Sequence, residues 1–413
     1  MFGVDLSRLG ITLPEIPYFP FRRSCPLSPA PDYERLRADA PVSQVTLWDG
    51  SVSWLVTRYD DAKAVLSDDR VSADNTRPGY PTHGPGLAAT RRSHPTFIAM
   101  DRPDHLRYRR MLVRHFTARR IMSHRALIQE IVNRRIENMI GEHRRAHSVD
   151  LVSSFALPVP SAVIGHVLGV PYTDHAFFES KSRLMMSGTT SAEAATEAND
   201  ELCAYLSRQI RIKTEKPDST LLSELASRLA AGDISPDQAV NTARLILVAG
   251  HETTASMIAL GTLTLLLHPA ISTGIRAHVS DEEMIVVVEE LLRYLSIAHF
   301  GRRRVAVADV PIAEHIIGPG EGIIVATDSA NHDPAIFPEP ATFNPASASA
   351  QHMAFGYGSH QCLGQELARL VLRIALSTLF MRLPGIELAS EISELRFKQE
   401  NVFYGLERLP VAW

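Results

Sequence analysis

The residues best suited to chemistry lie between Phe355 and Gly364, in the run Phe-Gly-Tyr-Gly-Ser-His-Gln-Cys-Leu-Gly with Cys362 at its centre. Gly356 and Gly358 free the backbone to turn. Beyond Gly364, apolar residues recur at Leu367, Leu370, Val371, Ile374 and Ala375, the spacing of an amphipathic helix. A sulfur at a helix start meets the positive end of the dipole and free N–H groups, which favour the thiolate and hence a metal-ligand role. The plain alternative is a small buried thiol. No Cys-x-x-Cys accompanies it, so zinc and iron–sulfur sites lack ligands. One thiolate suffices for a haem, because the porphyrin supplies four more donors.

A second irregularity lies upstream. Ser235-Pro236-Asp237-Gln238 reads as a capping box with proline at the first helical position, and the next stop signal is His268-Pro269. The helix between them should run about 50 Å. From Leu245 to Leu267 it is apolar on nearly every face, which predicts a buried central helix. In its middle stands Ala249-Gly250-His251-Glu252-Thr253-Thr254. Glycine there costs about 1 kcal/mol relative to alanine, threonines are weak helix formers, and a carboxylate in a buried helix is odder still. Such local inconsistency points to function. The plain alternative has the hydroxyls bonding back to the preceding turn and Glu252 meeting a cation.

Four other stretches carry weaker signals. Glu290 and Arg293, three apart on a helix predicted from Asp281 to Leu295, read by spacing as a surface pair worth a few tenths of a kcal/mol. His105, Arg107, Arg109 and Arg110 crowd together as a solvated basic face would. Residues 74–96, rich in Pro, Gly, Thr and Arg, read as an irregular lid or a disordered surface loop. Residues 187–191, between two amphipathic helices, are a second lid element or a plain turn.

The frame is mainly α with a minor β region: a short helix from Asp32, a hairpin around Asp49-Gly50, many amphipathic helices, then short strands near residues 301–320. A chain of 413 residues could hold about two or three domains, but no repeat or linker divides it. A formal net charge of −4 gives no reason to expect nucleic acid. Cys25, Cys203 and Cys362, odd in number and scattered, argue against a disulfide framework and for a reducing compartment. The first 24 residues, broken by Pro14, Pro17 and Pro20 and carrying five charges, read as neither signal peptide nor anchor. No apolar run approaches the roughly 20 residues of a membrane span. A soluble, cytoplasmic protein is expected.

Phe355-Gly356-x-Gly358-x-His360-x-Cys362-x-Gly364 resembles the haem-binding signature of the cytochrome P450 family. Ala249-Gly250-x-Glu252-Thr253 matches that family's oxygen-activation motif, and Glu290-x-x-Arg293 its Glu-x-x-Arg pair. The stretches from Trp54 to Tyr59, Leu157 to Ser161 and Leu409 to Trp413 also resemble soluble actinobacterial members, so the resemblance covers nearly the whole chain. It implies one P450 domain over residues 1–413, a long central helix over a haem b, and Cys362 as axial ligand. It implies further haem contacts from Phe355, His360 and Gly364, with His105, Arg109, Arg304 and His360 holding the propionates. Glu290 and Arg293 become a buried structural pair. One position departs: Ser347 stands where these relatives usually carry the arginine that completes the Glu-Arg-Arg network.

The resemblance further implies a monooxygenase in which Thr253, with Glu252, relays protons during dioxygen chemistry. Rivals are a haem-thiolate peroxygenase or isomerase, which needs no such relay, and a haem-containing binder without turnover. Electrons would come from a ferredoxin and its NAD(P)H-dependent reductase, docking near Arg107, Arg110 and Arg114 on a monomeric protein. Pocket residues carried over by position are Leu245, Val248, Ala249, Ile297, His299, Phe300, Val402 and Phe403. Their mostly apolar character favours hydroxylation or epoxidation of a sizeable hydrophobic molecule, such as a macrolide, polyketide or terpenoid, in biosynthesis or xenobiotic oxidation.

Overall fold

In the computed structural model, which describes residues 16–93 and 95–413, the central helix Pro236–Leu266 starts at the predicted cap. Ser235 Oγ accepts from Gln238 N at 3.2 Å, and Gln238 Oε1 accepts from Ser235 N at 2.8 Å. The helix packs on Pro158–Leu168, Ala192–Glu215 and Gln365–Arg382. Its buried Thr262 and Thr264 hydroxyls each donate at 2.8 Å to a carbonyl four residues back, so neither hydroxyl is stranded in the core. Gly250 explains the close crossing with Pro158–Leu168: a Cβ there would fall 2.5 Å from Ile164 Cγ1.

The β region is a five-stranded sheet in the order Val42–Thr46, Val52–Val56, Gly322–Val325, Arg302–Ala306, Val71–Ser72. Only the Val52–Val56 and Gly322–Val325 pair is parallel. The predicted hairpin pairs Val42 with Val56 and Thr46 with Val52, turning at Gly50 with φ +78°. Three short strands, Val149–Asp150, Pro410–Ala412 and Glu387–Leu388, form a second sheet. The expected mainly helical fold with a minor β region is what the chain adopts.

Two local expectations change. Residues 74–96 are not wholly irregular: Pro85–Ser93 is a helix whose proline occupies the tolerated first position. It lies against Ala192–Glu215, with Gly86 allowing the approach, since a Cβ there would sit 2.9 Å from Ala195 Cβ. His268-Pro269 ends one helix but also begins another, Pro269–Ala277, after a bend of 105°.

The two lid stretches meet. A Cβ on Gly84 would lie 2.6 Å from Gly188 O, and Gly188 N donates to Glu400 O at 2.7 Å, tying both to the C-terminal loop. Part of the proline-rich arm, residues 1–15, lies outside the described residues; from Tyr18 the arm runs beside Thr46, with Phe19 N donating to Thr46 O at 2.9 Å. Among the described residues no single helix is long and apolar enough to cross a membrane.

Candidate active site

Gly356 and Gly358 both adopt positive φ, +74° and +73°, as a tight loop demands. A Cβ on Gly358 would also lie 2.5 Å from Leu66 O. The loop closes on itself through Cys362 N donating to Phe355 O at 2.9 Å. Helix Gln365–Arg382 follows directly. Cys362 faces a cavity of about 460 Å³, which is why its side chain is exposed although protein surrounds it. Burial pushes the free thiol up, outweighing the Gly364 N–H and the charges of Arg302, Arg109 and Arg369, which favour the thiolate. The helix start alone therefore does not ionise this sulfur; a metal bound there would.

Ala249, Gly250, Thr253 and Thr254 of the central helix line the same cavity. Thr253 Oγ1 donates to Ala249 O at 2.8 Å, leaving its lone pairs free to accept. Glu252 is buried away from the cavity, with Oε2 3.5 Å from Lys398 Nζ. Neighbours on a helix diverge by about 100°, so the acid and the alcohol face different surroundings. Both contacts of the plain alternative are thus present, and Thr253 still opens on the cavity.

Arg109, Arg304 and His360 line this cavity, with His105 stacked behind His360 at 3.9 Å between centroids. Neither ring nitrogen of His105, nor Nδ1 of His360, has a hydrogen-bond partner. Burial, reinforced by Arg109, Arg102 and Arg304, lowers His105 to about 4. Burial with Arg304, His105, Arg109 and Arg102 lowers His360 to about 3. Burial also lowers Arg109 and Arg304. Arg302 and Arg303, not anticipated from the sequence, also line the wall: Arg302 Nη2 donates to Ala354 O at 3.0 Å with its Nε unpartnered, and Arg303 Nη1 donates to Thr82 O at 2.6 Å. Half-buried guanidiniums without carboxylate partners, beside orphaned ring nitrogens, fit a ligand that brings anionic groups. A haem, with two propionates and four nitrogen donors to complement one thiolate, has that character. Among the described residues, no group of three or more His, Cys, Asp or Glu could hold a metal by itself.

Glu290 and Arg293 form a buried bidentate pair, at 2.8 and 2.7 Å, rather than a surface one. Arg293 also donates to Asn331 O, Pro340 O and Thr342 O. Ser347 donates only to Asn344 O, at 2.9 Å, while Asn344 N donates to Glu290 Oε1 at 3.0 Å. A backbone N–H therefore supplies Glu290 with a donor beyond Arg293 in a network without the customary second arginine.

Of the carried-over pocket residues, Leu245, Ala249, Ile297, Val402 and Phe403 line the cavity. Val248, His299 and Phe300 do not. Val248 turns into the core, and His299 bonds Asn401 O at 2.7 Å and stacks on Phe300. Phe300 stacks in turn on His83, which does reach the wall. His83 could have been sought in the lid stretch, and Ile98 and Ala99 just beyond it; Pro160, Val163 and Ile164 gave no signal beyond ordinary core.

Residues 284–384 match the cytochrome P450 family model. Cytochrome P450-SU2 of Streptomyces griseolus is 44% identical over 391 residues, 94% of either chain. Pentalenic acid synthase of Streptomyces avermitilis is 44% identical over 396 residues, 96% of this chain and 97% of that one. The crystal structure of mycinamicin VIII C21 methyl hydroxylase from Micromonospora griseorubida, bound to mycinamicin VIII, superposes with a TM-score of 0.89 at 38% identity, covering 96% of this chain and all of that one. At such identity over nearly the full length, this chain belongs to the cytochrome P450 family.

Proposed function

We propose that this P450 monooxygenase binds haem through Cys362 and hydroxylates or epoxidises a sizeable hydrophobic natural product. One observation carries the reading: Cys362, the Thr253 hydroxyl and the half-buried guanidiniums of Arg109, Arg302 and Arg304, which have no carboxylate partner, share one cavity. Arg109, Arg304, His105 and His360 would hold the propionates, with Arg302 beside them. Bound haem supplies dioxygen activation, by which one oxygen atom enters the substrate and the other leaves as water, using two electrons and two protons.

This chain's own residues order the protons and the substrate. Thr253 Oγ, fixed by Ala249 O, is a group on the central-helix wall that can accept a hydrogen bond and pass a proton on. Glu252, held by Lys398 outside the cavity, stands one residue away as a proton source facing a different surface. Leu245, Ile297, Val402 and Phe403 offer an apolar surface to the substrate. The relatives named for pentalenic acid and mycinamicin support a terpenoid or macrolide scaffold.

Electrons would come from a ferredoxin and its NAD(P)H-dependent reductase. Of the basic residues considered for docking, Arg107 donates to Asp233 O and Arg114 pairs with Glu224, while Arg110 is exposed beside exposed Val113. Titrating the haem-loaded protein with mycinamicin VIII and with a sesquiterpenoid tests the substrate class. A saturable shift of the haem absorbance supports it. No shift with either, against a shift with sugars or nucleotides, would overturn it.

A further inference from the structure

The helix Asp281–Leu295 carries two adjacent carboxylates that serve opposite clients. Glu290 engages Arg293. Glu289 reaches the cysteine loop instead: its two oxygens accept from Arg369 Nε at 2.6 Å and Nη2 at 3.0 Å, and Oε2 also meets His352 Nε2 at 3.1 Å. His352 Nδ1 accepts from Ala354 N at 3.3 Å, so one neutral tautomer satisfies both contacts. The Arg369 guanidinium, thus fixed, lies over the Phe355 ring at 4.7 Å, and the His352 ring approaches the same phenyl at 6.2 Å. Phe355 O is the acceptor that holds Cys362 N.

From these contacts we infer that Arg369, Glu289 and His352 position the cysteine loop and set the electrostatic field at its sulfur, with Arg369 and Glu289 acting in opposite directions. The inference rests on Cys362 being the haem ligand. Arg369 is a positioning residue here, acting through the Phe355 ring under its guanidinium and through space as a cation on the helix that follows Cys362. Planarity matters as well as charge: a guanidinium can grip a carboxylate bidentately while lying flat on a ring, and an ammonium cannot. Glu289 then balances that charge, so the sulfur feels a nearly neutral pair rather than a free cation.

The test uses haem-loaded full-length protein, measuring the ferric/ferrous midpoint potential and the spectrum of the reduced CO complex. Arg369→Met leaves Glu289 uncompensated and should shift the potential negative, because local negative charge favours the ferric state. Glu289→Gln frees the Arg369 charge and should shift it positive. Arg369→Lys keeps the charge without the fork; it should hold the wild-type potential while part of the protein loses the thiolate-type CO band, and it carries the test should Arg369→Met fail to take up haem. Shifts of one sign in Arg369→Met and Glu289→Gln, or none, would show a structural clamp only and overturn the inference. A thiolate-type band missing from the wild type would overturn the ligand reading itself, and this inference with it.

Discussion

Glu252 and Thr253 are neighbours in sequence but not in environment: the carboxylate lies 3.5 Å from Lys398 Nζ, buried, while the hydroxyl opens on the cavity. The two halves of the proton pathway are therefore separable by mutation. Thr253→Ala should keep consuming reductant while product formation falls roughly 10²-fold. Lys398→Met leaves Glu252 buried without its cation, at a cost of about 1–3 kcal/mol in stability, and should lower product per reductant less than Thr253→Ala does. The product-to-NAD(P)H ratio reads both, and full coupling in Thr253→Ala would remove its role.

Gly250→Ala pits two effects against each other. Alanine gains about 1 kcal/mol in helix propensity, but its Cβ would lie 2.5 and 2.7 Å from Ile164 side-chain carbons. Overpacking of that kind costs about 1–3 kcal/mol, so melting temperature should fall. Restoring space with Ile164→Ala in the double variant should recover part of the loss.

Arg293→Met leaves Glu290 as a buried, uncompensated carboxylate, with Asn344 N still donating to it. Losing one partner of a buried pair costs about 3–5 kcal/mol, and three loop carbonyls lose their donor too. Denaturant unfolding should show a loss of that order. A change under about 1 kcal/mol would mean the pair is no stronger than the surface pair its spacing suggests.

Acid stability has an identifiable contributor. Burial works to raise Glu289, but hydrogen bonds from His352 and Arg369, with the Arg369 charge, hold it down from 4.5 to about 2. A carboxyl depressed in the folded state contributes stability that is fully present above the unfolded value. That contribution, on the order of 3 kcal/mol, is lost as pH falls from about 4.5 to about 2. Arg369 also touches Glu366, and His352 is the other titratable neighbour of Glu289. Glu289→Gln should flatten the fall of melting temperature between those pH values; an unchanged slope would assign acid loss elsewhere.

Much of this was legible in the sequence because the signals were local. The Ser235 capping box, the Asp49-Gly50 turn and the glycines around Cys362 each dictate backbone within a few residues, and each appears where expected. What stayed hidden depends on tertiary contact. Spacing could not tell that Glu290 and Arg293 are buried, that Glu252 turns to Lys398, or that Arg302 joins the basic wall, because each partner lies on another element. Val248, His299 and Phe300 were assigned to the cavity by position, yet packing against the core or a ring stack turned them from it. Pro269 reads alike as a stop and as a first helical residue, so the helix Pro269–Ala277 went unseen.

The account turns on the sulfur of Cys362 as the haem ligand. The most direct test is the absorption spectrum of the haem-loaded protein, reduced and saturated with CO, beside that of Cys362→Ser. A strongly red-shifted Soret band in the wild type, absent from the variant, is the expected result. An unshifted band in the wild type, or a red-shifted band that survives in Cys362→Ser, would contradict it.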